Sequence, residues 1–581
     1  MKRLLLVFFT LLSVILSAQQ PMFTTDVLAL DGERFVLANK GTKTVTIIDK
    51  TGKTLNVWSF EEPVTGMCLG GGRLYITSSY GHGWLTSVDP VSGKAGFKTE
   101  TGMGACSPVV NNEGSRIYVF NQFKAAVSEV DAISGKILRV TRVLREPVAG
   151  VLTPDGKYLF VNNSLPAQRA DLEYVTSEVS VIDLLNFEVV RNVKLENGSN
   201  ALRGICISTD GRYVYVSHNL GRFQVPTSQL NQGWMNTNAI SIIDVQTLNF
   251  VVSMLLDEPD RGAAGIWGIA SSDDQLFVTH SGTHDISIID QKIMRERLEN
   301  YPDKKTLSYD LRFMYDIRKR LPLVGNGPRN LSISNGKLLI PTYFSDTLNI
   351  LDIASEAISV ISYNPKRVES SENTGERVFN DASWCYQNWQ SCNGCHPGDA
   401  RTDAMNWDLM NDGIGNPKNC KSLLYSHVTP PSMISGIRAN AELAVHAGFK
   451  FIQFSDIPGT LLECVNTYLK SLRPLPSPYL VNDVLSDKAV NGRKVFEKMR
   501  CDECHGGVYF TDMKQHRIGD KIEFEAGWDT PTLIEVWRSA PYLYDGRSAT
   551  LKEVFSVYKH GITEKVSERD IDELVEYVNS L

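Results

Sequence analysis

At 581 residues the chain is too long for one hydrophobic core, so two or more domains are expected. Apolar residues at 42% and charged residues at 22% exclude a disordered or fibrous chain. A net charge of −7 with no basic run leaves nucleic acid out as a partner.

Residues 1–18 read as a secretion signal: Lys2 and Arg3, an apolar stretch over 4–16, then Ser17 and Ala18 at a cleavage point. The apolar stretch is shorter than the roughly 20 residues a membrane span needs. No later stretch is long enough either, so the mature chain is expected to be periplasmic or otherwise exported, without a membrane span.

Residues 22–362 carry a repeat. A strand ending in a hydrophobic residue and Asp recurs at Asp49, Asp89, Asp131, Asp183, Asp244, Asp290 and Asp352. Between these lie further β-rich runs with turn signals, such as Asp155-Gly156 and Asp210-Gly211. Seven such units predict an all-β, seven-bladed propeller. The strings Tyr213-Val-Tyr-Val-Ser-His218 and Leu276-Phe-Val-Thr-His280 make the units resemble the YVTN propeller repeats. Longer spacings imply insertions at 221–238 and 292–321, candidate docking loops. His82, His218, His280 and His284 at strand ends read as structural residues over a metal cluster.

Past residue 365 the strand alternation gives way to helical periodicity. Two CxxCH motifs appear, Cys392-Asn-Gly-Cys395-His396 and Cys501-Asp-Glu-Cys504-His505. Two thiols on one helical turn can add across the vinyl groups of one haem, and the adjacent histidine becomes the proximal iron ligand. Cys392, Cys395, Cys501 and Cys504 are therefore read as covalent haem c attachments, and His396 and His505 as iron ligands. The surroundings are duplicated too: Gly375-Glu-Arg-Val-Phe379 and Gly492-Arg-Lys-Val-Phe496 precede the motifs. Tyr468-Leu-Lys-Ser-Leu472 and Tyr577-Val-Asn-Ser-Leu581 close the units. Capping boxes are predicted at Thr460/Glu463 and Ser567/Asp570, and Thr429-Pro430 is paired with Thr530-Pro531. Two mainly α cytochrome c domains follow, 366–476 and 483–581, making the chain a multidomain protein with two haem c.

The strings Asp529-Thr-Pro-Thr-Leu-Ile534 and Ala540-Pro-Tyr-Leu-Tyr-Asp-Gly-Arg547, with Ala549-Thr-Leu-Lys-Glu553, resemble the bacterial di-haem cytochrome c peroxidases and the related maturation enzyme MauG. The resemblance implies an oxidoreductase that acts on peroxide or oxygen, with electron transfer between its haems and a redox partner protein or small-molecule donor. It implies a calcium ion between the haems, for which no ligand is assigned. The sixth ligand of the second haem falls to Tyr558, the MauG position, with His560 as its rival. For the first haem His427 is the first choice, with Met433 and His446 as alternatives. Gln453 and Glu463 stand at the family's spacing for catalytic residues. The family's acidic loop is missing, so a non-enzymatic electron carrier with a propeller docking platform stands as the alternative.

Overall fold

The computed structural model describes residues 19–226, 234–410, 415–519, 524–562 and 565–581; the expected leader, residues 1–18, lies outside them. Among the described residues no helix is long and apolar enough to cross a membrane.

Seven antiparallel sheets follow one another along residues 24–59, 64–100, 105–142, 147–194, 199–255, 266–322 and 332–362, forming the expected seven-bladed propeller. Each recurring aspartate ends a blade's third strand, or in the case of Asp89 directly follows it, and folds the next turn. Asp89 accepts hydrogen bonds from Val91 N, Ser92 N and Ser92 Oγ, and Asp131 accepts from the matching atoms of Ile133 and Ser134. Asp290 applies the same geometry to cap the helix Gln291–Glu299. The repeat is thus written in side chains that turn the backbone, which is why it is visible in sequence.

The ring closes by packing. Val27, Leu37 and Ile48 of blade 1 share a core with Leu339, Leu348 and Tyr363 of blade 7, and Tyr363 OH donates to Thr24 Oγ1 at 2.8 Å. His218 and His280 are fully buried, each held by a backbone oxygen at Nδ1 and a serine hydroxyl at Nε2, so they are structural. His82 pairs with Glu100 at the surface. The 292–321 insertion lies against blades 5 and 6, burying Met294, Leu298, Leu307 and Phe313.

Beyond the propeller the chain forms two helix pairs, Ser371–Asn380 with Gly459–Ser471 and Asp487–Lys498 with Glu568–Asn579. Their crossings are the same. A Cβ at Gly375 would overlap Cys464 O and lie 2.8 Å from Tyr468 Cβ; one at Gly492 would overlap Glu573 O and lie 2.8 Å from Tyr577 Cβ. The close approach lets Phe379 meet Tyr468 at 5.5 Å and Phe496 meet Tyr577 at 5.3 Å between ring centroids. Gly492→Ala is expected to force that pair apart and to destabilise the second unit by about 3 kcal/mol, the upper end of ordinary overpacking. Urea unfolding followed by far-UV circular dichroism measures this; a loss below about 0.5 kcal/mol, the range of neutral surface changes, would refute the crossing.

One expected cap does not form. Ser567 and Asp570 make the predicted box, but the helix Gly459–Ser471 is entered from Pro458 with no side-chain cap, so Thr460 lies inside it. Proline fixes the entry in place of a hydroxyl.

Candidate functional site

Both CxxCH segments adopt one short 3-10 turn, Cys392–Gly394 and Cys501–Glu503. The turns are closed by His396 N donating to Cys392 O at 2.9 Å and His505 N donating to Cys501 O at 2.8 Å. His396 Nδ1 faces Arg401 O at 3.2 Å, and His505 Nδ1 faces Phe510 O at 3.3 Å, each five residues on. A proton on Nδ1 answers that carbonyl and leaves the Nε2 lone pair for a metal. Burial lowers both imidazoles to about 4, so they are neutral. All ten cysteines are unpaired. Burial raises the Cys392 thiol to about 12 and the Cys501 thiol to about 11, opposite to the lowered thiols of redox dithiols.

The two units share strand pairings in their loops as well as their helix crossings. Asn406–Trp407 pairs with Lys418–Asn419, and Gln515–His516 pairs with Trp528–Asp529. Trp407 Nε1 donates to Asp403 Oδ2 at 2.8 Å; His516 Nε2 contacts Asp512 Oδ2 at the same distance. Cys504, Asp512 and His516 are close enough to hold a metal ion. The first unit fills the histidine position with an indole, which cannot ligate, so the arrangement is read as a loop brace. Burial pushes the Asp403 carboxyl up to about 7. The pairing of Thr429-Pro430 with Thr530-Pro531 needs correction. Cys420-Lys421 stands where Thr530-Pro531 stands, as Cys420 N to Met405 O and Thr530 N to Lys514 O show, both at 3.0 Å. Pro431 matches Pro541, ahead of the bridges Ser432–Arg438 and Tyr542–Ser548.

The units also differ ahead of their motifs. Gly375 and Gly492 are 117 residues apart, but Cys392 and Cys501 only 109. The first unit therefore carries extra residues before its motif, and they dock on the propeller. Ala382 N donates to Gly282 O at 2.9 Å, Gly262 N donates to Gln387 O at 2.7 Å, and Asp381 pairs with His284 at 3.2 Å. Trp389 packs on Trp234, with ring centroids 5.4 Å apart. The described part of the 221–238 insertion adds Phe223 and Met235, which pack against Met405 and Trp407. That insertion is thus a docking loop within the chain itself.

The remaining candidates separate. His560 is the ring that meets His505, with centroids 6.3 Å apart. Tyr558 instead donates its hydroxyl to Arg547 O at 2.7 Å. Both ring nitrogens of His427 are engaged, Nε2 with Asn466 Oδ1 at 3.0 Å and Nδ1 with Ser426 Oγ at 3.3 Å. Met433 sits in a turn at φ +73° with its carbonyl accepting from Gly436 N, and His446 lies in the helix Ala441–Ala447. Among the described residues no aromatic or imidazole ring packs against His396. Gln453 is buried and donates to Cys392 Sγ at 3.1 Å, with its Oε1 unpartnered. Glu463 is exposed on its helix, so the two are not brought together as an acid–amide pair.

Three partners of the first turn carried no signal in sequence. Asn236 of the propeller donates to Cys395 Sγ at 3.1 Å. The Cys420 thiol lies 3.1 Å from Cys395 O and 3.6 Å from His396 Nδ1. Arg401 binds Glu535 of the second unit with two hydrogen bonds of 2.9 Å. Only the tertiary fold brings these to the motif.

No family model matches the chain. It is similar to the gamma subunit of hydrazine synthase from Kuenenia stuttgartiensis, 27% identical over 270 residues that cover 36% of this chain and 76% of that one. It is also similar to the beta subunit of the same enzyme, 26% identical over 210 residues, covering 35% of this chain and only about half, 52%, of that relative. A solved structure of Kuenenia stuttgartiensis hydrazine synthase has a chain of like fold, at a TM-score of 0.50 and 20% identity, covering 59% of this chain and 96% of that one.

Proposed function

We propose that the chain is an exported di-haem c-type oxidoreductase, in which the second haem exchanges electrons with a donor and the first is the reacting centre. Cys392, Cys395 and His396 would hold one haem, and Cys501, Cys504 and His505 the other, in the domains 366–476 and 483–581. The fit rests on the donor sets: two unpaired thiols and a neutral, Nδ1-anchored imidazole on each turn. When bound, haem supplies one-electron chemistry.

The observation that carries the division of labour is the His505–His560 pair. The two rings lie 6.3 Å apart between centroids, a gap in which His505 and His560 would both be able to hold one metal ion. A firm sixth ligand favours electron transfer over substrate binding. Among the described residues the His396 ring meets no such partner, which favours reaction there. His560 therefore replaces Tyr558 as the preferred ligand, and His427, tied to Asn466, recedes. Gln453, beside Cys392, is the polar side chain best placed to serve the first haem. The similarity to subunits of hydrazine synthase supports a redox enzyme over a passive carrier. The peroxidase resemblance makes peroxide the first substrate to try.

Electron paramagnetic resonance of the holoprotein tests this. The wild type is expected to show one low-spin and one high-spin haem. His560→Ala is expected to convert the low-spin signal to high spin, and Tyr558→Phe to leave it unchanged. A change in the phenylalanine variant alone would return Tyr558 as the ligand. Two low-spin haems in both redox states would make the protein an electron carrier.

A further inference from the structure

One hairpin of the propeller is longer than its counterparts. The strands Tyr213–Gly221 and Asn236–Asp244 of blade 5 run for nine residues each, where the matching strands of the other blades run for six or seven. The extra residues carry three asparagines to the first CxxCH turn. Asn219 Nδ2 donates to Gly394 O at 3.3 Å, Asn238 Nδ2 to Trp389 O at 3.4 Å, and Asn236 Nδ2 to Cys395 Sγ at 3.1 Å. The motif itself admits this approach, since a Cβ on Gly394 would lie 3.0 Å from Asn236 Nδ2. The second motif has Glu503 at that place, exposed and paired with Arg500. Neighbours fix which way the Asn236 amide points. Gln390 Nε2 donates to Ile452 O at 3.3 Å, so Gln390 Oε1 is left to accept from Asn236 Nδ2 at 3.2 Å.

The other sulfur of this motif is served from within the first unit. The π-helical turn Gly448–Ile452 ends at Gln453, whose N donates to Gly448 O at 3.0 Å and whose O accepts from Tyr386 N at 2.9 Å. That pinned backbone holds Gln453 Nε2 at 3.1 Å from Cys392 Sγ. Both amides are buried, Asn236 at 3% and Gln453 at 4% exposure. The second turn has neither donor. Among the described residues no amide donates to Cys501 or Cys504, and Cys504 Sγ meets His516 Nε2 only at 3.8 Å, a nitrogen that Asp512 Oδ2 engages at 2.8 Å.

We propose that Asn236 and Gln453 are positioning residues that raise the reduction potential of the first haem by donating to both of its attachment sulfurs. The inference rests on the covalent haem reading given above. A thioether sulfur has no proton to give and keeps its lone pairs, so each amide remains the donor. The positive end of each N–H dipole then lies against the attachment of the porphyrin and favours its electron-richer, reduced state. The pull is toward the first haem, the direction that an electron entering at the second must take. One of the two donors belongs to the propeller, which gives that domain a part in the redox chemistry.

Potentiometric titration of the holoprotein at alkaline pH, followed in the visible spectrum, tests this. The wild type is expected to give two midpoints. Asn236→Leu, which keeps the shape and loses the donor, is expected to lower one of them by roughly threefold in the reduction equilibrium, about 28 mV at about 59 mV per tenfold, and to leave the other in place. Gln453→Leu is expected to lower the same one. Asn236→Asp, which sets an anionic oxygen beside Cys395, is expected to lower it further than leucine does. A role in packing alone gives the reverse order, with the aspartate variant nearer the wild type, and would overturn the proposal. So would unmoved midpoints, or a fall in both, in variants whose intact mass includes two haems. A mass equal to that of the polypeptide alone would overturn the haem reading, and the proposal with it. If the variants do not fold, the crystal structure of the wild-type holoprotein decides: either amide nitrogen turned away from its sulfur overturns the proposal, and both in hydrogen-bond contact support it.

Discussion

Replacing Cys501 and Cys504 together by alanine is expected to lower the mass of the mature protein by one haem, and replacing Cys392 and Cys395 by another. The reasoning starts from the thiols. Each pair sits on one 3-10 turn whose backbone bond aims the following histidine to the same side. Burial raises all four thiols, which removes the thiolate that dithiol exchange requires. A zinc site would need a fourth ligand gathered at one point. Cys504, Asp512 and His516 come nearest to that, and their counterparts include the indole of Trp407. Covalent attachment to a porphyrin is what remains for two such turns. Intact-mass spectrometry of protein made with a working cytochrome maturation system measures it. A wild-type mass equal to that of the polypeptide alone would end the haem reading.

The parts of the fold legible in sequence were those written in short-range chemistry. The seven turn aspartates fix their own loops within three or four residues, so their recurrence counted the blades. The CxxCH turns and the glycine at each helix crossing are local in the same way. Legibility failed where like strings stand at positions that are not equivalent. Thr429-Pro430 looks like Thr530-Pro531 but lies 37 residues past Cys392, against 29 from Cys501 to Thr530, and Cys420, 28 past Cys392, is the true counterpart. The family resemblance points to Tyr558 and the ring contact to His560, because a two-residue difference just past a helix decides which side chain turns toward His505. Asn236, Cys420 and Glu535 had no motif at all. Asn236 reaches the first turn from the propeller, Glu535 reaches Arg401 from the second unit, and Cys420 folds back from a loop of the first unit, contacts that periodicity and spacing do not encode.

Glu535→Ala is expected to destabilise the protein by about 3–5 kcal/mol, the usual loss when one member of a buried ion pair is removed. Glu535 is only 2% exposed and accepts two hydrogen bonds from Arg401 at 2.9 Å. It also accepts from Arg538 at 3.5 Å and from Leu475 N at 3.2 Å. Arg538 in turn reaches Glu146 of the propeller at 3.3 Å. Burial raises the Glu146 carboxyl, but Arg538 and Arg145 outweigh it and hold it below its usual range. One carboxylate thus ties the first helical unit, the second unit and the propeller. Without it Arg401 keeps only backbone acceptors, Asp399 O and Arg473 O. The carbonyl of Arg401 is the one that faces His396 Nδ1, so loosening this arginine also frees the first histidine ring. The variant is therefore expected to melt earlier and to disturb the visible spectrum of the first haem more than that of the second. Glu535→Gln, which keeps the shape and loses the charge, is expected to fall between. Equal melting of the alanine variant and the wild type would show that the junction contributes nothing to holding the three parts together.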